Sequence, residues 1–444
     1  MPCGAKEYVC LGVLLWIVIA SSTALPASAQ ITFASAVDLG LTNNLKIKSA
    51  EEDIKKAAAA LAVTRDIFIP SVVAGGGVGT AYGITLTVPT IFTIDTQSLV
   101  YSAQQRFYIR AARSDLRSAQ FAFAEARDQA EEDVAITYFS IDHAQKAMAV
   151  VTEQYNLATR LVSIVEDRVN GNLDSELELM KARRTAVQLR LQKLHAEDEI
   201  ASLTEHLGQL IDRPADDLTV VPESIPALPP LNPDSSFRPE FSDSSAVLSA
   251  EQSAKAKRER AKGDSIYTWR PLVSFAAQYG RVSPIENVSE FYNIHGNYNS
   301  ASIGVQIQFP LLDQVRKAAG NESTADAVRS QTELAGLRFD EDQGRKKLLR
   351  AVPELAASAE LAEIEQKIAA SELDSVLVEM KHSNGGPVVT PKEEMNVRIQ
   401  ERQRFLDLLD AKLQLAKAQI SLLRQTGKLD AWIRTIPSSA QPAP

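Results

Sequence analysis

Cysteine is nearly absent from this chain of 444 residues: its only two, Cys3 and Cys10, lie close to the N-terminus. A mature chain starting beyond them has no thiol and no disulfide. Glu7-Tyr8-Val9, just ahead of Cys10, lack the small side chains expected before a lipidated cysteine. Aromatic residues make up 6%, few for a globular core but natural for helices rich in Ala, Leu, Glu and Arg. Positive charge is not in excess either. The formal net charge is −9 and the pI about 5.3, which excludes the basic footprint of a nucleic-acid binder. Past the N-terminus no stretch approaches the roughly 18 apolar residues of a membrane helix. An exported chain of this kind is therefore either soluble or a β-barrel. Catalytic patterns are missing too. The histidines His143, His195, His206, His295 and His382 form no H-E-x-x-H pair, there is no G-x-S-x-G, and the glycines from Gly75 to Gly79 lack the lysine of a phosphate loop. No catalytic, metal-binding or cofactor-binding residue is expected, and the chain does not read as an enzyme.

What is present begins with an export signal at residues 1–29. Lys6 supplies the positive region, Leu11 to Ala20 the apolar segment, and Ala27-Ser28-Ala29 the cleavage site, so that the mature chain would start at Gln30.

The stretch Ser300 to Phe309 alternates cleanly. Ala301, Ile303, Val305, Ile307 and Phe309 are apolar, whereas Ser300, Ser302, Gly304, Gln306 and Gln308 are small or polar. Its length of about ten residues suits a tilted membrane strand, although an edge strand on a soluble core would carry the same pattern. Pro271 to Gly280 is a matching strand, with Val273, Phe275, Ala277 and Tyr279 on one face. Earlier in the chain, Val72 to Thr87 and Thr90 to Tyr101 also look β-like, though Gly75-Gly76-Gly77 weakens the first.

Around these strands lie long helical stretches. Ser35 to Ile67 comes first. Gln104 to Val169 carries a near-heptad seam that includes Val134, Tyr138, Ile141, Ala144, Val151, Ala158 and Val165. Asn170-Gly171-Asn172 breaks it, with Gly171 expected in the left-handed position. Leu173 to Leu210 then shows two seams, Leu177-Met180-Val187-Leu191-Leu194 and Leu179-Ala182-Ala186-Leu189-Ala196-Ile200-Leu203-Leu207-Leu210, which implies neighbours on both sides. Helices side by side in a closed ring would need both; so would a helix buried in a bundle. After a proline-studded linker or surface segment at 212–242, Ser245 to Trp269, the two strands, Asp313 to Lys381 and Pro391 to Trp432 repeat the programme. Gly344 and Pro353 interrupt the second of these helices. The chain thus divides into a first repeat at 30–211, the linker, a second repeat at 243–436 and a disordered tail at 437–444. Pro70 and Pro271 are separated by about 201 residues and Gly171 and Gly386 by about 215, as in an internal duplication. The long helix of about 66 residues, about 100 Å, nearly equals the sum of the two shorter ones beside it, which would give a cylinder wall of constant height.

Five motifs, in order, resemble the TolC family of outer-membrane efflux proteins over about Ile31 to Ile436. They are Phe33-x-x-Ala36 with Leu41-x-Asn43-Asn44; Ile69-Pro70-Ser71; Arg270-Pro271-Leu272; Val305-Gln-Ile-Gln-Phe-Pro-Leu-Leu-Asp313; and the tip Arg168-x-x-Gly171-x-x-x-Ser175. The spacing from Arg168 to Gly171 is one residue shorter than is usual in the family. The first repeat has Tyr101-Ser-Ala-Gln-Gln105 where a Pro-Leu-Phe-Asp would stand. The resemblance implies a mainly α fold with a β-barrel: a homotrimer whose long α-helical coiled-coil barrel continues into a twelve-stranded outer-membrane barrel, four strands per protomer. It implies a passive export channel in the outer membrane of a Gram-negative-type bacterium with a periplasmic extension. Such a channel takes substrate from an inner-membrane efflux or type I secretion transporter through a periplasmic adaptor. A soluble periplasmic coiled-coil scaffold or adaptor is the alternative.

The same resemblance makes Glu393 and Glu394 candidates for a charged ring at the periplasmic aperture, although Ser175 with Glu178 and Thr390 with Glu393 read equally well as capping boxes. Arg168, Asn170, Gly171, Asn172 and Leu173, with Asn384, Gly385, Gly386, Pro387 and Val388, are candidate adaptor contacts at the tips, or simply bare hairpins. Val273, Phe275, Ala277, Tyr279, Ala301, Ile303, Val305, Ile307 and Phe309 would face lipid. Tyr267, Trp269, Tyr279, Phe291 and Tyr292 would form an aromatic girdle, unless Trp269 is buried in the tunnel wall.

Overall fold

The computed structural model describes residues 29–77, 90–215, 218–229, 243–266, 270–282, 299–382 and 390–434. They form two compact units, each assembled from both repeats: the described residues within 1–48, 127–242 and 344–444 make one, and those within 49–126 and 243–343 the other.

The first unit is helical. Helix α1 (Phe33–Asn43) opens on Thr32, whose side chain accepts from the Ser35 N–H. A single first helix was expected, but it stops at Asn44, and α2 (Leu45–Asp66) begins anew. The Asn44 side chain accepts from the Lys46 N–H at 2.8 Å, and this local bond competes with helical continuation. Helix α3 (Ala103–Asn170) buries or half-buries its whole near-heptad seam. Val134 lies so close to α1 that a Cβ on Gly40 would stand 2.8 Å from its Cγ2. Helix α4 (Glu176–Ile211) treats its two seams differently. Ala182, Leu189, Leu207 and Leu210 are buried, whereas Leu177, Met180, Val187, Leu191 and Leu194 stay exposed.

The core of this unit gathers both ends of the chain. Phe33 is wholly buried, with its ring edge-on to Tyr138 at 5.4 Å, to Phe139 at 5.9 Å and to Trp432 at 5.7 Å. Part of the proline-studded segment is drawn in: β1 (Ala29–Ile31) pairs in parallel with β4 (Leu218–Val220). The Tyr138 hydroxyl lies 2.9 Å from the Ile31 carbonyl and accepts from the Val221 N–H at 3.1 Å. Helix α6 (Gln314–His382) runs unbroken through Gly344 and Pro353 rather than being interrupted. Helix α7 (Pro391–Gln425) ends before the expected Trp432. Gly427 takes φ +66°, the Gly427 and Lys428 N–H groups cap the carbonyls of Arg424 and Leu423, and a short α8 (Leu429–Arg434) follows.

Glu131, 4% exposed in this unit, has its carboxyl pushed by burial up to about 7 from 4.5, with Asp430 and Asp128 adding to the rise. The folded state thus holds this proton to higher pH than the unfolded chain does. Stability should therefore fall as pH rises from about 4.5 to about 7 and level off beyond, by about 3 kcal/mol. Glu131→Gln should raise the thermal midpoint at pH 8 and leave it unchanged at pH 4; an equal effect at both would refute this account.

The second unit carries α5 (Ser245–Ser265), capped by the Ser244 side chain, and a four-stranded antiparallel sheet. Its strands are β2 (Ser71–Gly76), β3 (Thr90–Ser102), β5 (Leu272–Val282) and β6 (Asn299–Gln308), paired in that order. Beneath it, the Tyr108 and Ser323 hydroxyls both donate to Asp264, tying α3 and α6 to α5.

The register sorts the side chains. The rows Val72-Thr96-Ala277-Ile303, Ala74-Ile94-Tyr279-Ala301, Ser98-Phe275-Val305 and Val273-Ile307 share one face. The rows Gly75-Thr93-Gly280-Ser300, Val73-Asp95-Gln278-Ser302, Ser71-Gln97-Ala276-Gly304 and Leu99-Ser274-Gln306 share the other. One face is therefore mainly apolar and the other mainly polar. Phe309 falls one residue beyond the strand, because Pro310 follows and has no N–H to continue a ladder. Tyr279 is exposed on the apolar face; Tyr267, Trp269, Phe291 and Tyr292 lie outside the described residues. Among the described residues no helix is long and apolar enough to cross a membrane.

Candidate functional site

The tip at the end of α3 is built by a reverse turn that leaves its carbonyls capped. The Leu173 N–H bonds to the Arg168 carbonyl at 2.8 Å and the Asn172 N–H to that of Val169 at 3.0 Å. The left-handed residue is Asn172, with φ 53°, and not Gly171 as expected; after Gly, asparagine is the residue that tolerates this region best. Leu173 is left 69% exposed and Asn170, Gly171 and Asn172 are exposed with it, whereas Arg168 turns back. Its guanidinium grips both oxygens of Asp174, at 2.9 and 3.3 Å.

The N-termini of α4 and α7 differ although their sequences look alike. Thr390 and Glu393 close a full capping box: the Thr390 N–H donates to Glu393 Oε2 at 2.8 Å and the Glu393 N–H to the Thr390 hydroxyl at 3.3 Å. Ser175 caps nothing with its side chain. The Glu178 carboxylate, which would supply the other half of a box, is held by Lys392, whose Nζ lies 2.8 Å from Glu178 Oε2 and 3.7 Å from Asp174. Lys181 holds the other oxygen of Glu178 at 2.8 Å. Arg168, Asp174, Lys392, Glu178 and Lys181 form one continuous chain of charge linking the α3–α4 hairpin to α7.

The electrostatics follow from these contacts. Hydrogen bonding from Arg168 holds the Asp174 carboxyl below its usual range, and Lys392 adds to it. Lys181 and then Lys392 lower Glu178 in the same way. The Thr390 backbone N–H and hydroxyl lower Glu393. Glu394 pairs within its own helix, with Arg398 nitrogens at 2.8 and 2.9 Å. Both candidate aperture acids are thus tied to their own helix end. Beneath them Leu161, Val165, Ala182 and Met395 pack as a small apolar cluster that fixes the three helices. Asn384, Gly385, Gly386, Pro387 and Val388 lie outside the described residues.

The sequence assigns no role to Lys392 or Asp174, and to Glu178 only that of closing a capping box with Ser175. Their charges were visible, but a bridge between two repeats can be seen only once the helices are side by side. The same holds for a groove of about 600 Å³ between α3, α4 and α7, lined by Gln154, Gln188, Gln192, Asn396, Gln400 and Gln403. Gln154 is fully buried there and donates to the Ile399 carbonyl at 3.2 Å. Among the described residues no group of His, Cys, Asp and Glu could hold a metal ion.

No family model matches the chain. Protein CyaE of Bordetella pertussis is 23% identical over 322 residues, which cover 69% of this chain and 67% of that protein. Among solved structures, the open state of the MtrE outer membrane channel of Neisseria gonorrhoeae aligns with a TM-score of 0.68 at 15% identity, over 92% of this chain and 93% of that one. The Campylobacter jejuni CmeC outer membrane channel aligns with a TM-score of 0.66 at 15% identity, over 89% and 85%. The likeness is one of fold: this chain has the long-helix and sheet architecture of those channels.

Proposed function

We propose, from a chain that has the TolC-like outer-membrane channel fold, that it is a passive export duct of the outer membrane. Three copies would close the four-stranded sheet into a barrel of twelve strands and join their helices into a periplasmic tunnel. The observation that carries this reading is the sheet. One face is apolar, the other polar, and among the described residues β2 and β6 have no partner on their outer sides. A sheet in lipid cannot leave a row of backbone groups unpaired, so β6 of one copy must meet β2 of the next. The exposed seam of α4, together with Val328, Phe339, Leu361, Ile364 and Ile368 on α6, gives the copies apolar surface to share. Substrate would enter from an inner-membrane pump through an adaptor seated at the tips, with Arg168, Asn170, Gly171, Asn172 and Leu173 at the contact.

Glu393 and Glu394 would ring the periplasmic aperture. Protein extracted from the outer membrane with detergent should form channels in planar bilayers, and replacing both acids by alanine should raise single-channel conductance severalfold. Absence of any channel would remove the duct. A channel with unchanged conductance in the double variant would remove only the aperture assignment.

A further inference from the structure

The described strands carry one acidic and one basic side chain, and the two sit on opposite faces. Arg281, the last residue but one of β5, lies on the apolar face, opposite Phe92 and Asn299 and two residues from Tyr279. That is the place of a long cation reaching from a lipid interface into headgroup water. Asp95 lies in the middle of β3 on the polar face, exposed, between Val73 on one side and Gln278 on the other. Along its own face it neighbours Thr93 and Gln97, and across the sheet the row continues to Ser302. Every other described residue of that face, from Ser71 to Gln308, is neutral. Among the described residues no cation pairs with Asp95.

We infer that Asp95 is a selectivity residue of the strand region: three copies hold an uncompensated ring of negative charge in the lumen, which favours cations and positively charged solutes over anions. The inference rests on the duct reading and adds to it a locus distant in sequence from the tip acids. A carboxylate in mid-strand is tolerated only where the side chain meets water, so its place on the polar face is also what makes it effective. A narrow pore focuses such a charge on passing ions, and neutral hydroxyl and amide neighbours do not cancel it.

The test is the reversal potential of reconstituted channels in a KCl gradient. Wild-type protein should prefer K⁺; Asp95→Asn should lower the K⁺ to Cl⁻ permeability ratio about twofold or more, and Asp95→Lys should lower it further. The loss should be larger at 0.1 M than at 1 M salt, because the screening length falls from about 10 Å to about 3 Å; a merely steric change would not depend on salt in this way. Asp95→Cys offers a second reading, since both native cysteines lie at positions 3 and 10. A negatively charged thiol reagent added from water should restore the cation preference in that variant and do nothing to Ile303→Cys. Channels whose permeability ratio is the same in wild type, Asp95→Asn and Asp95→Lys would overturn the inference while leaving the duct standing. Absence of channels in wild type would overturn both.

Discussion

A lysine at Val305 should all but abolish recovery of the protein from the outer membrane, while a lysine at the adjacent Gln306 should be tolerated. The two positions are equivalent in every respect but facing. Both lie in β6 and both are exposed in the single protomer, Val305 at 61%. Neither substitution disturbs a buried core. Val305 opposes Phe275 on the apolar face, and Gln306 opposes Ser274 on the polar one. A lysine on the lipid face costs about 2–4 kcal/mol near the bilayer midplane, and a trimer would incur it three times. The same lysine on the lumen side stays in water. The measurement is the amount of each variant in the outer-membrane fraction that detergent alone releases. A soluble periplasmic scaffold would treat the two alike, so equal recovery would count against the barrel.

Phe33→Ala should be the most damaging single change in the helical unit. The ring is wholly buried and touches three other rings, so truncation removes its burial and leaves a void among partners that cannot collapse onto it. A loss of roughly 3–5 kcal/mol is expected, seen as a drop in the midpoint of helix melting by circular dichroism. Tyr138→Phe is the informative companion. It keeps the ring but strips the hydroxyl from the Ile31 carbonyl and the Val221 N–H, which should cost about 1–3 kcal/mol. Its effect should concentrate on the β1–β4 pair, with faster amide exchange there than elsewhere. If Phe33→Ala melts within a degree of wild type, the core is not where the stability of this unit resides.

Much of this architecture could be read in advance because two periodicities dominate the chain. The seam from Val134 to Val165 and the alternation from Ala301 to Ile307 each have a single structural solution, and the limits of α3 and β6 lie within one residue of the expected Gln104 to Val169 and Ser300 to Phe309. Breaks were harder, because they turn on local competition. Asn44 stops a helix with one side-chain bond, and Gly427 stops another by its left-handed turn. The first hairpin was obscure for a different reason. Val72, Ile94 and Thr96 alternate poorly by themselves, and their facing is set by register with β5 and β6. The tip was least legible. Ser175 and Thr390 stand in similar sequences, yet one closes its box and the other does not, and the reach of Lys392 across to the Glu178 carboxylate shows only once the helices are side by side.

The meeting of Phe33 with Trp432 has a consequence for how the protein is made. Two rings roughly 400 residues apart share one core, so that core cannot close until the last helix has been synthesised. The β5–β6 hairpin, by contrast, can form from neighbouring residues alone. Until then the helix ends that await α8 expose apolar surface, and a chain in that condition is open to aggregation. Completion of the core must therefore wait for the whole chain, a delay written into the separation of Phe33 from Trp432.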